Sequence, residues 1–130
     1  MRREIVIHSL EHAQAALAAA AACGQDVTLA SAPGAALQTG PGWFKSVIEQ
    51  ASAAYPAVAV KAILDCSDQP GAAMAALRAG LKDLRFHGAV ELREKLAGMG
   101  AVLAPPPDAV LDLREISGPE AACTAFFRQA

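Results

Sequence analysis

The sequence predicts an α/β fold, in which alternating βα units form a mainly parallel five- or six-stranded sheet with helices on both faces. Three observations support this prediction. Short apolar runs alternate along the chain with segments of helical periodicity. The strongest run, VAVKAIL at 58–64, is nearly continuous in apolar residues, as in a parallel strand buried on both faces. Residues 6–31 and 63–88 align without a gap as the same strand–helix–strand unit, which is the building block of parallel sheets.

The N-terminal half is expected to hold two of these strands and two helices. Ser9 is a suitable N-cap for the first helix, and Gly24 ends it. The second helix has an apolar stripe that begins at Phe44 and ends before Pro56. The predicted elements are a strand at 4–7, a helix at 9–23, a strand at 27–30, a Gly/Pro-rich loop at 31–42 and a helix at 41–55.

The C-terminal half repeats the alternation with shorter elements. Pro70 opens a helix whose expected core stripe contains Met74, and the next helix is expected to bury Met99. Three prolines at 105–107 end the fifth strand. The predicted elements are strands at 58–64, 84–86, 101–103 and 110–113, the last one short or at an edge, and helices at 70–81, 90–99 and from 119, the last with Cys123, Phe126 and Phe127 on one stripe.

Length and composition indicate a single α/β domain over residues 1–130, because 130 residues is close to the commonest domain size. Hydrophobic residues make up 54% of the chain and charged residues 18%, against about 25% charged in an average domain. A surface so poor in charge favours burial of part of it between subunits. We therefore expect a homo-oligomer.

Charge and motif content exclude several classes of partner. The net charge is −2 and no Lys/Arg run exceeds two residues, so no basic footprint for nucleic acid is expected. No apolar run is long enough for a membrane span, and MRREIVIHSLEH reads as a strand rather than a signal peptide. Three widely spaced cysteines favour reduced thiols in the cytoplasm. Neither GxGxxG, GxxxxGK[ST] nor HxH occurs, so we predict no cofactor and no metal.

Polar residues concentrate where the predicted strands end. Parallel strands present their C-terminal ends at one edge of a sheet, and ligands of open α/β sheets bind there. The turns expected at the opposite edge hold only routine residues. The sequence therefore predicts a small-molecule site at the C-terminal edge. Its candidate catalytic residues are His8, Asp65, Cys66 and His87, and its candidate ligand-binding residues are Ser9, Ser31, Gly34, Gly42, Trp43, Ser67 and Asp68.

Each candidate has a chemical role and a structural alternative. Asp65 could act as a general base or orient a histidine, or it could accept hydrogen bonds from free backbone N–H groups. Cys66 could be a nucleophile activated by the following helix N-terminus, or a small buried packing residue. His8 and His87 could supply acid/base groups. Lys61 should share a strand face with Asp65 and could form a Schiff base, or place its amine in water.

The loop at 33–42 and Trp43 complete the predicted site. The loop is glycine-rich and leads into a helix N-terminus, where backbone N–H groups can hold an anion. Trp43 could form a wall over a ligand, anchor a subunit contact or pack internally.

Two parts of the chain resemble known families. AALRAGLKDLRFHG at 75–88 resembles the repeating units of (βα)-barrel enzymes, with a small-residue turn before the next strand. The resemblance covers one unit of about thirty residues, whereas a full barrel needs roughly 200 or more. It therefore implies a flavodoxin-like or half-barrel-like piece. The whole chain is also similar to small uncharacterised bacterial α/β proteins, a likeness that assigns no activity.

With ELREKL at 91–96, the same stretch resembles the last part of response-regulator receiver domains. Asp65 would end the third strand, as the phospho-acceptor of those domains does. His8 and Ser9 stand where receivers carry a magnesium-binding acidic pair, and Ala104 stands where a lysine precedes a proline. The resemblance therefore implies at most a degenerate receiver-like domain.

Two functions follow as expectations. The first is a small-molecule site, possibly for an anion, at the C-terminal edge, with the 33–42 loop as a cradle or lid. The alternative is a non-catalytic oligomerising or regulatory module, in which Trp43, Phe126 and Phe127 contribute to contacts between subunits.

Overall fold

A computed structural model, which describes residues 1–129, contains one six-stranded parallel sheet and six helices in alternation. The predicted fold class is confirmed. The strands are β1 (Arg3–Ile7), β2 (Val27–Ser31), β3 (Val60–Asp65), β4 (Asp83–Arg85), β5 (Val102–Leu103) and β6 (Ala109–Asp112). The helices are α1 (Leu10–Cys23), α2 (Ala35–Gln38), α3 (Gly40–Ala53), α4 (Pro70–Arg78), α5 (Val90–Gly98) and α6 (Pro119–Arg128).

The strand order is β5-β4-β3-β2-β1-β6, and every neighbouring pair is parallel. From β1 to β5 each connection steps to the next strand in the same direction. Because such crossovers are almost always right-handed, the connecting helices lie on the same face. The helices accordingly pack in one row, with α1 between α6 and α3, then α4 and α5. This row replaces the expected helices on both faces, and the fold is the half-barrel-like form of the prediction.

Local sequence signals place the first helix as predicted. The Ser9 hydroxyl accepts a hydrogen bond from the backbone N–H of His12 at 3.1 Å and caps α1. Gly24 ends it with a left-handed φ of 63°. The short helix α2 was not predicted, because the glycines and prolines around it are typical of loops.

The core lies between the sheet and the helix row. Ile5, Leu29, Leu64 and Leu84 point from successive strands into it and are fully buried. Small residues let α4 lie close to the sheet, since Ala73 and Ala76 are its buried positions. The expected burial of Met74 and Met99 is wrong, because both are exposed. The predicted stripes on α3 and α6 are confirmed at Phe44, Val47, Ala51, Cys123, Phe126 and Phe127.

We call the side of the sheet without helices the open face. Successive residues of a strand face opposite sides, so Lys61 and Asp65 share this face as predicted. The residues directed to the open face are Glu4, Val6, Thr28, Ala30, Lys61, Ile63, Asp65, Asp83, Arg85, Val102, Val110 and Asp112.

The sheet is curved around its open face. A flat six-stranded sheet would separate β5 from β6 by about 24 Å, whereas the six steps from Leu103 to Ala109 reach at most about 22 Å. The connecting segment 104–108 must also descend the length of the strands. Arg85 on β4 reaches Glu4 on β1 across two intervening strands, which only a concave face allows.

No helix in the described part of the chain is long and apolar enough to cross a membrane.

Candidate functional site

The C-terminal ends of all six strands meet at one edge because the sheet is entirely parallel. We call this edge the strand-end edge. Ser31 and Asp65 are the last residues of β2 and β3, while His8 and His87 follow β1 and β4. The side chains predicted at this edge divide into two groups, one around Asp65 and one around His8.

The Asp65 group joins the connections that follow β2 and β3. The carboxylate is buried, and its Oδ1 accepts the backbone N–H of Gly34 at 3.0 Å and that of Ser67 at 2.9 Å. The backbone N–H of Asp65 donates to the hydroxyl of Ser31 at 2.9 Å. Asp65 therefore orders the turns after β2 and β3. This is the backbone-acceptor role anticipated for it, although its partners are not the N–H groups that open α4.

His87 lies beside this buried carboxylate. Its Nε2 is 3.7 Å from Asp65 Oδ2, while its side chain is 62% exposed. The backbone N–H of His87 donates to the carbonyl of Ser67 at 2.8 Å, which fixes the start of the turn after β4. An accessible imidazole thus stands next to a carboxylate that is held in place by the backbone.

Ser67 adopts a left-handed conformation with φ of 53°. Such a conformation is uncommon outside glycine and is often found at functional sites. It directs the Ser67 N–H toward Asp65 and the Ser67 carbonyl toward His87. One residue therefore links both members of the acid–histidine pair.

His8 belongs to a second group on the other side of β2. Its Nε2 lies 2.6 Å from Asp112 Oδ1, and its backbone N–H donates to Nδ1 of His12 at 3.0 Å. Burial and the nearby His8 lower the pKa of His12. Partial burial alone would raise the pKa of Asp112, but hydrogen bonds from the Arg114 backbone and from His8 hold it below its ordinary value.

Sequence reasoning missed Asp112 as a partner of His8. The two residues are 104 positions apart in sequence, and only the parallel pairing of β6 with β1 brings them together. The only signal in the sequence was the position of Asp112, an isolated acidic residue at the end of a short apolar run. Among the described residues, no group of three or more His, Cys, Asp or Glu side chains could hold a metal ion.

Cys66 has the properties of a packing residue. Its side chain is fully buried in the core, and burial, with the charge of Asp65, raises its pKa to about 11. The thiol lies 3.7 Å from the carbonyl of Leu64. A nucleophile needs an accessible thiolate, so these properties favour the structural alternative for Cys66.

The remaining predicted residues have varied environments. Ser9 serves as the α1 cap, and Trp43 is half-buried against the core. Gly42 lies within the first turn of α3, and its expected loop is partly the helix α2. Asp68 is exposed and accepts a hydrogen bond from Gln69.

Five of the six helix N-termini in the described chain lack a side-chain cap, among them those of α3, α4 and α5. The N-cap residues Thr39, Gln69 and Ala89 of α3, α4 and α5 place no side-chain oxygen on the first turn. Their first backbone N–H groups have no partner within the helix and carry the positive end of its dipole. This arrangement favours an anionic ligand over a cationic one.

A cavity of about 410 Å³ lies away from this edge, on the open face near the N-terminal ends of the strands. None of the residues predicted for the strand-end site lines it. Lys61 is the one lining residue for which sequence analysis proposed a chemical role, because the cavity itself depends on the curvature of the sheet.

No protein-family model matches the chain, and no curated protein matches it significantly.

Proposed function

We propose that the strand-end edge binds a small molecule with an anionic group, such as a carboxylate or a phosphate. The observation that carries the proposal is the exposed imidazole of His87 beside the buried, backbone-anchored carboxylate of Asp65. His87 is the polar contact with the ligand, and Asp65 positions the surrounding loops. The uncapped N-termini of α3, α4 and α5 supply further hydrogen-bond donors to an anion.

The proposal is a binding function rather than an assigned reaction. The enclosed thiol of Cys66 argues against thiolate chemistry. His8 and His87 interact with different carboxylates, Asp112 and Asp65, so the four candidate catalytic residues do not form one hydrogen-bonded set. With three free cysteines in the described chain, we also infer a reducing, cytoplasmic setting.

The proposal is tested by native mass spectrometry of the purified protein, followed by calorimetric titration with inorganic phosphate and with small carboxylates. We expect His87→Gln to weaken binding roughly tenfold, as is usual for loss of one hydrogen-bonding partner. Its thermal stability should be unchanged, because the side chain is largely exposed. Glu94→Gln, an exposed change on α5, is the control. Unaltered binding by the His87 variant would contradict the proposal.

An oligomerising module is the second candidate, and the uncovered face of the sheet favours it. All-parallel sheets are nearly always covered on both faces, whereas here the edge strands expose Val102 at 54% and Val110 at 50%. The aromatic residues expected at an interface do not support it, because Phe126 and Phe127 are buried internally. Light scattering after size-exclusion chromatography should then give a dimer that Val110→Lys converts to monomer. A monomer at all accessible concentrations would exclude this candidate.

A further inference from the structure

The cavity on the open face is lined by residues from β1 to β5. Its floor is formed by Thr28, Lys61 and Ile63 from the middle of the sheet, with Asp83 beside them on β4. Val102, Leu103, Ala104 and Pro105 form the wall on the β5 side. At about 410 Å³, it falls within the size range of small-molecule sites.

A buried ion pair holds the curvature on which the cavity depends. Two nitrogens of the Arg85 guanidinium donate to the two carboxylate oxygens of Glu4, at 2.8 and 2.6 Å. The same guanidinium donates to the carbonyl of Pro105 at 3.0 Å. At the other end of the crossing segment, the backbone N–H of Asp108 donates to the carbonyl of Arg2 at 2.7 Å. The cavity is therefore preorganised, which reduces the entropic cost of binding.

Several charged groups line the cavity, and two of them, Glu4 and Arg3, are held by contacts within the fold. Both carboxylate oxygens of Glu4 are occupied by Arg85. The guanidinium of Arg3 donates to the carbonyls of Phe126 and Gln129 and lies over the Phe126 ring. These contacts stabilise the fold and fix the positions of both side chains.

Lys61 and Asp83 differ from those paired groups. Both line the cavity, yet within the described chain neither has an oppositely charged group within 4.0 Å. The strand register places Asp83 beside Ile63, two residues along the strand from Lys61. Such a diagonal separation is about 7–8 Å between backbones. A positive and a negative group thus face one compartment, and the apolar side chains of Ile63 and Val102 lie on the same face.

We propose that this cavity binds a small zwitterion, namely an α-amino acid with an apolar side chain. Its carboxylate binds the Lys61 ammonium and the Thr28 hydroxyl, which is the register neighbour of Lys61. Its ammonium binds Asp83, and its side chain packs against Ile63 and Val102. The class follows from the chemistry of the lining, because a simple carboxylate would leave Asp83 without a partner and a simple amine would leave Lys61 without one.

This site is independent of the strand-end site, since the two share no residue. The test is titration of the full chain with L-leucine, with 4-methylpentanoate, which lacks the amine, and with isopentylamine, which lacks the carboxylate. Backbone amide NMR reports the location of binding, and calorimetry reports affinity. We expect L-leucine to shift the amides of Thr28, Lys61, Ile63 and Asp83, and to bind roughly tenfold or more tightly than either analogue.

Substitutions test the contributions of Lys61 and Asp83 to binding separately. Lys61→Met and Asp83→Asn should each weaken L-leucine binding by a similar factor, while Lys82→Met, an exposed lysine outside the cavity, leaves it unchanged. Circular dichroism and thermal melting confirm that each variant is folded. The proposal is overturned if 4-methylpentanoate binds as tightly as L-leucine, if no L-amino acid with an apolar side chain binds at millimolar concentrations, or if the shifts lie outside the cavity. Each of these results leaves the strand-end proposal unaffected.

Discussion

Some residues at the strand-end edge are held more tightly by packing than their residue types suggest. Gly88 follows His87, and a Cβ atom built on it would lie 2.3 Å from the Phe86 ring. That ring is buried in the core and cannot easily move away. The glycine is therefore required by a close approach and not by its backbone conformation.

Gly88→Ala should consequently lower the free energy of unfolding by about 1–3 kcal/mol, the usual cost of overpacking a core. Gly71→Ala is the matched control, because it lies inside α4 with no atom within 4 Å of the added Cβ. The control should be neutral or stabilising by up to about 1 kcal/mol, because alanine favours helix. Urea denaturation measures both, and equal stabilities for the two variants would contradict the argument.

The cysteines provide a second prediction at the residue scale. Burial raises the pKa of Cys66 and of Cys123 to about 11, whereas Cys23 is partly exposed. At neutral pH a thiol reagent should modify Cys23 in the folded protein, and the other two cysteines only after unfolding. Modification of Cys66 at a rate close to that of Cys23 would show that the turn after β3 is open.

The raised pKa values of Cys66 and Cys123 also determine how the stability of the protein depends on pH. Unfolded chains lose these thiol protons near pH 9, while the folded protein keeps them to about pH 11. Their contribution to stability is thus present below pH 9 and is lost as the pH rises toward 11. The free energy of unfolding should therefore fall over this interval, and a smaller fall is expected for Cys66→Ala.

At the scale of elements, one ion pair joins strands that are not neighbours. The Glu4 side chain is 4% exposed and that of Arg85 14%, and the pair connects β1 with β4 across β2 and β3. Removing one partner leaves the other charge buried without compensation. Glu4→Gln or Arg85→Met alone should cost about 3–5 kcal/mol of stability.

The double variant Glu4→Gln, Arg85→Met should lose less than the sum of the two single variants, and a double-mutant cycle in urea measures the difference. The exposed pair Lys45–Glu49 on α3 is the comparison, at 3.9 Å. Breaking it with Glu49→Gln should cost no more than about 0.5 kcal/mol. Additive effects at Glu4 and Arg85 would mean that the pair does not hold the curvature.

The elements themselves could be predicted largely from sequence. Capping residues, prolines and apolar periodicity predicted every strand and all the long helices, with boundaries shifted by a few residues at most elements. α2 was missed because glycine and proline are strong loop signals, although Ala35 and Ala36 pack into the core. The prediction of a core stripe containing Met74 was wrong, because α4 packs against the sheet through alanines. Alanines contribute little to the hydrophobic pattern of a sequence.

At the scale of the whole molecule, what sequence could not provide was the arrangement of the strands. Nothing local to β6 indicates that it pairs with β1, so the contact between His8 and Asp112 was not foreseen. Four consecutive steps in one direction, from β1 to β5, place the helices in one row and leave the open face, with its cavity, on the other side. The grouping around Asp65 was easier to anticipate, because it needs only adjacent parallel strands.

The most direct test of the account maps where an anion binds. Backbone amide NMR during a titration with inorganic phosphate reports every site at once. We predict that the amides of Gly34, Ser67 and His87 shift together and saturate with one affinity, and that His87→Gln weakens it. The assignment of the strand-end edge as the binding site would be contradicted if phosphate left the chemical shifts of these three amides unchanged. It would also be contradicted if the same shift changes occurred in the His87 variant.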